Sequence, residues 1–407
     1  MIKINNVLLP DLTRQDLTVP ASAEMELDGS DWVALPGLID PHVHFRVPGM
    51  EDKEDWIHAA RAAFKGGVTT VFDMPNTRPA TTTLERLQAK TAQIDAQLAQ
   101  VQLPLKYKLF FGADKNQFQE LIKVKDQIVG IKVFMGASTG DLLMDDESSL
   151  HAIYALAKAH GLLIALHAED ELVIQENARI YAAEQDYKYH TLIRSPEAAR
   201  KAVDLVIRLC EIYKVPSYLL HLSTSGELDL VRDAKLRGLP LYAETCPHYL
   251  FLDTNSYPSL QGRAKMNPPL RDKIEQDYLW EALCSGLIDT IGSDHAPHSL
   301  SDKAQPLCRC PSGVPGIQTT LPLLLTAWQQ GKIPLTKIVE LTNTNPQRIF
   351  NLKPNDDLVF ADIKNFYTLS DEMMASKCPW SPFSGMRLTG FPRYISTAGQ
   401  LINLAKL

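Results

Sequence analysis

Apolar residues along this chain recur in short runs, each closed by a polar or glycine-containing tip and followed by a segment with helical spacing. Eight such runs are legible: Val33–Phe45, Val68–Pro75, Tyr107–Ala113, Ile128–Met135, Leu162–His167, Ser217–Leu222, Pro240–Thr245 and Ile288–Asp294. Between them lie amphipathic stretches that predict helices over Glu54–Lys65, Leu84–Leu98, Ser148–His160, Pro196–Tyr213, Glu227–Arg237 and Lys273–Ser285. Strands alternating with helices at this spacing predict a parallel sheet with crossovers, and eight units predict a (β/α)8 barrel of the TIM type. The two ends differ. Residues 1–34 and 355–407 carry short alternating runs (Ile2–Leu8, Leu358–Ile363, Arg393–Thr397) with little helical pattern. They predict a small β-rich domain built from both termini, around a barrel spanning 35–354; two unrelated tails packed on the barrel are the alternative.

Composition narrows the partners. The 407 residues are 45% hydrophobic and 22% charged, enough apolar mass for a sizeable core. A net charge of -7 argues against nucleic acid, which selects basic surfaces. No apolar stretch approaches the ~20 residues of a membrane span, and the start MIKINNVLLPDLTRQ has no apolar targeting core. Six cysteines in a chain this long form no disulfide framework, so a reducing cytoplasm is the expected location.

Candidate chemistry gathers at the ends of the runs. In Asp40-Pro41-His42-Val43-His44-Phe45-Arg46, strand alternation puts Asp40, His42, His44 and Arg46 on one face, with the two imidazoles ~7 Å apart. Alone, an H-x-H pair reads equally as two hydrogen-bonded histidines. His167 closes the fifth run in LHAED, His221 the sixth in LHLST, and Asp294 the eighth in IGSDHAPH. In a barrel these ends share the active rim, so five metal-competent side chains predict a metal site there. Lys132, in GIKVFMG, ends the fourth run and reads by itself as a lysine reaching the barrel rim. Asp40 could orient a histidine or cap a turn; Glu244 and His248 suggest indirect roles only. His58, His151, His160 and His190 read as surface or packing residues.

Taken in order, D-P-H-V-H-F-R-x-P, M-P-N-T, I-K-V-F-M, HAE, HLS, N-P-P-L-R and G-S-D-H-A-P-H-x4-K resemble the amidohydrolase superfamily, and within it the dihydroorotases of pyrimidine biosynthesis. The similarity runs from Leu35 to Arg348, with Trp380–Gly385 in keeping. The resemblance implies two divalent metal ions, with zinc the expected species. His42 and His44 would hold the buried ion with Asp294, and His167 and His221 the more exposed one. A Lys132 carboxylated by CO2 would bridge both; it is preferred over Asp141 and Asp145. Asp294 would also be the catalytic acid and base for a hydroxide held between the ions. Arg46, Asn76 and His298 would hold the substrate carboxylate, Asn267 the ring, and Gly313 of the Pro311–Gly316 loop would line the pocket.

The implied reaction is the reversible cyclisation of N-carbamoyl-L-aspartate to (S)-dihydroorotate. Two cations bring four positive charges, of which carbamate, Asp294 and hydroxide remove three; Arg46 adds one, so a small anionic substrate completes the balance. As a rim salt bridge, Arg46 would carry no such meaning. Two rivals stand beside this reading: an allantoinase or dihydropyrimidinase sharing the metal site, and a non-catalytic paralogue serving as partner of aspartate transcarbamoylase. An association with that enzyme and a homo-oligomeric assembly are the partner expectations. The N-terminal β segment is shorter than the resemblance implies and lacks its glycine-rich hairpin. Cys308 and Cys310 read as ordinary loop thiols rather than a zinc clip.

Overall fold

The computed structural model describes residues 1–21, 24–137 and 142–407; Asp141 lies outside them. Among the described residues eight parallel strands stand side by side in chain order: β1 (Leu38–Val43), β2 (Val68–Asp73), β3 (Lys106–Gly112), β4 (Gly130–Phe134), β5 (Ile164–His167), β6 (Ser217–Leu219), β7 (Leu241–Thr245) and β8 (Thr290–Ile291). The first and last strands meet through a single parallel bridge, Val43 to His295. The His44 N–H donates to the His295 carbonyl at 2.9 Å, and the Ser293 N–H to Asp40 Oδ1 at 3.0 Å. The expected barrel is therefore present, nearly closed, with its seam between the first and eighth strands.

The helices follow the amphipathic stretches, and their starts are set by caps. Asp55 accepts from the His58 N–H, so the first helix begins at Trp56 instead of Glu54. Thr224 and Glu227 form a capping box that starts the helix predicted over Glu227–Arg237 two residues early, at Ser225. Pro196–Tyr213 and Lys273–Ser285 run as predicted.

Three of the runs need correction. Val33–Phe45 is two strands, Trp32–Pro36 and β1, broken at Gly37. A Cβ on Gly37 would lie 2.4 Å from Thr69 Oγ1 and 2.8 Å from Asp357 Cβ, so the chain passes through a gap that admits only glycine. Trp32–Pro36 then pairs antiparallel with Leu358–Asp362, with Ala34 opposite Phe360. Ser217–Leu222 keeps its ladder only to Leu219, and Ile288–Asp294 only over Thr290–Ile291. His221 and Asp294 lie beyond those ladders in left-handed backbone, both at φ 44°. Leaving the pleat there re-aims each side chain, at a conformational cost a functional site can tolerate.

Strands from both ends of the chain build one seven-stranded sheet, with Ile2–Leu8, Arg14–Val19, Met25–Asp28 and Trp32–Pro36 joined to Leu358–Asp362, Phe391–Thr397 and Gln400–Asn403. Its own apolar cluster includes Ile4, Val7, Val19, Ala34 and Phe360. No helix of the described residues is long and apolar enough to cross a membrane.

Candidate metal centre and anion cleft

Asp294 sits between the two histidines of the first strand. Its Oδ1 lies 3.3 Å from His42 Nε2 and 3.1 Å from His44 Nε2. The far ring nitrogens are already engaged: His42 Nδ1 donates to Glu244 Oε1 at 2.8 Å, and His44 Nδ1 donates to Asn76 Oδ1 at 2.7 Å. Both acceptors lack a proton to give, so each Nδ1 carries the hydrogen of its bond, and in the neutral form each imidazole turns an Nε2 lone pair toward a carboxylate oxygen. Three lone pairs converge with no hydrogen between them, an arrangement that suits a cation.

A second pair repeats the problem. His167 Nδ1 and His221 Nε2 are 2.9 Å apart, while His167 Nε2 donates to Glu169 Oε2 at 2.8 Å. His221 Nδ1 is buried and without a hydrogen-bond partner. Either tautomer of His221 leaves one nitrogen lone pair unmatched, which is a poor state for a buried group and a good one for a ligand. The donor set thus fits two cations: His42, His44 and Asp294 for one, His167 and His221 for the other.

The electrostatics agree. Burial lowers His44 to about 3 and holds His167 and His221 below the usual imidazole range, so all three offer lone pairs at neutral pH. Burial pushes the Asp294 carboxyl up, but the imidazoles of His42, His44 and His221 outweigh it and hold the group well below the carboxylate range. Lys132 points its Nζ over the Phe134 ring at 4.6 Å, and burial brings its ammonium down to about 7. A second acidic group, Glu54, Asp55 and His58, is already matched by donors. Glu54 accepts from Ser376, His295 and the Lys377 N–H, and Asp55 pairs with Lys377 Nζ at 2.9 Å.

Beside Asp294 a narrow cleft is lined by His44, Arg46, Asn76, Asn267, Ala296, Ser312 and Gly313. Arg46 is not on the strand face that alternation predicts. It follows β1 in left-handed backbone, φ 65°, and only 2% of it is exposed. Burial lowers it to about 10, which leaves it charged at neutral pH, and its Nε has no partner. His298 stands behind it: Nδ1 accepts from Lys53 Nζ at 3.0 Å and Nε2 donates to the Ser312 carbonyl at 3.1 Å, with Arg46 Nη2 3.2 Å from Nε2. Burial and the neighbouring cations Arg46, Lys53 and Lys303 hold His298 far below its usual range, so the ring is neutral.

Several roles move. Asp40 accepts the N–H groups of His42 and Ser293, so it fastens backbone at the seam and orients no imidazole. That task on His42 falls to Glu244, whose other oxygen accepts from Tyr218 at 2.6 Å. His190 is buried, and its Nε2 lies 2.9 Å from both the Met266 carbonyl and Asn267 Oδ1. Glu169 was missed: it joins His167 to buried Arg194, whose Nε donates to it at 2.9 Å. Its signal was its place two residues after His167 on a strand end; Arg194, on a separate helix end, gave none.

Residues 33–355 match the amidohydrolase family. The chain belongs to that family. It is 34% identical over 400 residues to the dihydroorotase of Methanosarcina acetivorans, covering 94% of this chain and 84% of that protein. A segment of the multifunctional protein CAD of Squalus acanthias is 31% identical over 371 residues, 91% of this chain and 15% of that protein. Among solved structures, the L-hydantoinase (dihydropyrimidinase) from Arthrobacter aurescens superposes with a TM-score of 0.91 at 26% identity, covering 99% of this chain and 96% of the other. As an amidohydrolase with these relatives, the chain is a metal-dependent hydrolase of cyclic amides.

Proposed function

We propose that this amidohydrolase is a dihydroorotase, interconverting N-carbamoyl-L-aspartate and (S)-dihydroorotate. The observation that carries the reading is Arg46: a buried guanidinium with an unpartnered Nε, in the same cleft as Asp294. A neutral hydantoin or dihydropyrimidine ring offers it no anion, whereas a ring bearing a carboxylate satisfies it by a charge-assisted hydrogen bond. The dihydroorotase relatives at 31–34% identity support the same choice, while the fold is shared with hydantoinases.

In this reading His42, His44 and Asp294 would hold one divalent ion and His167 and His221 the other, and Lys132, once carboxylated, would supply a further anionic ligand. The depressed ammonium of Lys132 favours the free amine that CO2 requires. When bound, the ions, with zinc the expected species, supply a water of lowered pKa and polarise the scissile carbonyl. Arg46 fixes the substrate carboxylate at one end, with Asn76 beside it; His298, expected to bind the carboxylate too, has both ring nitrogens engaged by Lys53 and the Ser312 carbonyl and stands behind Arg46 instead. Asn267, held by His190, and Gly313 flank the ring and set its angle toward Asp294. Asp294 Oδ takes a proton from the attacking water and returns it to the ring nitrogen as the C–N bond breaks; cyclisation runs the same path backwards.

A cytoplasmic homo-oligomer associating with aspartate transcarbamoylase goes with this reading. The test is a substrate panel on metal-loaded enzyme. Dihydroorotate should exceed dihydrouracil, hydantoin and allantoin in kcat/KM by about a hundredfold or more. Equal or faster turnover of the neutral rings would replace the proposal with a hydantoinase activity. A metal-replete protein inert on all four would be the scaffold paralogue.

A further inference from the structure

The segment from Ser299 to Gly313 closes one side of the cleft with almost no regular structure: one turn of helix, Leu300–Lys303, and then loop. Two buried lysines lie under it. Lys303, 3% exposed, donates from Nζ to three backbone carbonyls: Lys265 at 2.8 Å, Pro311 at 2.9 Å and Gly313 at 2.9 Å. An ammonium has three hydrogens, and all three are used. Lys265 donates in the same way to Leu307 at 2.8 Å and Cys310 at 2.6 Å. Among the described residues neither lysine pairs with a carboxylate. Burying a charge with only carbonyls for partners is expensive, and a surface loop does not need it for stability alone.

The positions of those carbonyls say what Lys303 holds. Pro311 and Gly313 flank Ser312, whose own carbonyl accepts from His298 Nε2 at 3.1 Å. Three consecutive carbonyls, 311 to 313, are therefore fixed by buried side chains. The Gly313 N–H donates to the Lys265 carbonyl at 3.0 Å, closing a ring with Lys303 two residues before Asn267. Gly313 is at φ 130°, and a Cβ there would lie 2.4 Å from the Ala296 carbonyl oxygen, so the wall packs directly on the backbone that follows β8. The carbonyls of Pro311, Ser312 and Gly313 and the Gly313 N–H are thus engaged in the wall's own support.

We propose that Lys303 is a positioning residue: by fixing the carbonyls of Pro311 and Gly313 it holds Ser312, and through it His298, in register with Arg46, and sets the flat wall against which the substrate ring lies. The kinetic consequence rests on the carboxylate-binding role proposed above for Arg46; the wall itself does not.

Hydrogen–deuterium exchange and steady-state kinetics on the metal-loaded, full-length Lys303→Met variant test this. Peptides covering 310–316 should exchange at least about tenfold faster than in the unaltered protein, with barrel peptides unchanged. KM for dihydroorotate should rise about tenfold or more, with kcat within about threefold and metal content intact. Lys265→Met separates positioning from general loosening: it should speed exchange at 305–310 but leave KM within about twofold. An equal KM rise in both variants overturns the assignment, as does unchanged exchange at 310–316 or an unchanged KM. If Lys303→Met does not fold, Lys303→Arg replaces it, because a planar guanidinium cannot meet three converging carbonyls. It should show the same two changes at smaller size, and a variant with neither overturns the proposal. If the unaltered enzyme does not turn over dihydroorotate, the functional reading fails separately, and the exchange comparison alone decides for or against the wall.

Discussion

Around Asp294 the rim collects lone pairs, from His42, His44, His167 and His221; around Arg46, about one side chain away, it collects N–H donors, from Arg46, Lys53 and Lys303. The first half is short of positive charge and the second short of negative charge. Each lacks what a ligand of the opposite kind brings, and the two openings adjoin in one cleft. They are also built differently. The lone-pair half stands on strand ends of the barrel or one to three residues past them, with Glu244, Asn76 and Glu169 fixing three of the rings from behind. The donor half stands on loops, and the protein stiffens these with buried cations on carbonyls. Rigidity is needed in both, but only one half obtains it from regular structure.

That division can be broken experimentally. Replacing Asp294 with Asn should have the largest effect, lowering kcat by about a thousandfold or more, because it removes both a ligand and the proton carrier. Metal analysis should show ions lost with it; full occupancy together with full activity would dissolve the lone-pair half as a functional unit. Arg46→Ala comes next. It should cut kcat/KM for dihydroorotate by about a hundredfold, mostly through KM, while metal content stays constant. Loss of metal in that variant would mean the halves are one site. Glu244→Gln should weaken metal binding by about ten- to a hundredfold, read by competition with a chromogenic chelator, since it takes the charge away from the partner of His42 Nδ1. The smallest change is Cys308→Ser. The thiol is exposed and free, so zinc stoichiometry and stability should stay the same within about 0.5 kcal/mol. A drop in bound zinc would revive the C-R-C clip.

The two halves also differ in how far the residues foretell them. Strand periodicity and run ends bring His42, His44, His167, His221 and Asp294 together before any coordinates, because barrel topology sends every strand end to one rim. The backbone reversals at His221 and Asp294 were invisible, since φ at a strand end depends on what it packs against. Arg46 was legible as a residue but not as a conformation: alternation puts it on the strand, and the chain turns it left-handed one step later. Lys303 closes the G-S-D-H-A-P-H-x4-K motif, but the motif does not say what the lysine holds, and Lys265 is outside every motif. Their partners are main-chain oxygens from Leu307, Pro311 and one another's segments, and every residue type has such an oxygen. Likewise the break at Gly37 hides inside a continuous apolar run, because both of its strands are buried.

The barrel seam carries one last consequence. Seven of its eight junctions are ladders, whereas the eighth relies on the Val43–His295 bridge, of which the His44 N–H bond is part, and one further hydrogen bond. His42 and His44 stand on one lip of that junction and Asp294 on the other, so an ion held by all three, as proposed, would act as a clasp across the weakest stave. Cofactor loading and architectural integrity then become one equilibrium: stripping the ions should let the cylinder part at this line first, and heat resistance should track free metal concentration logarithmically.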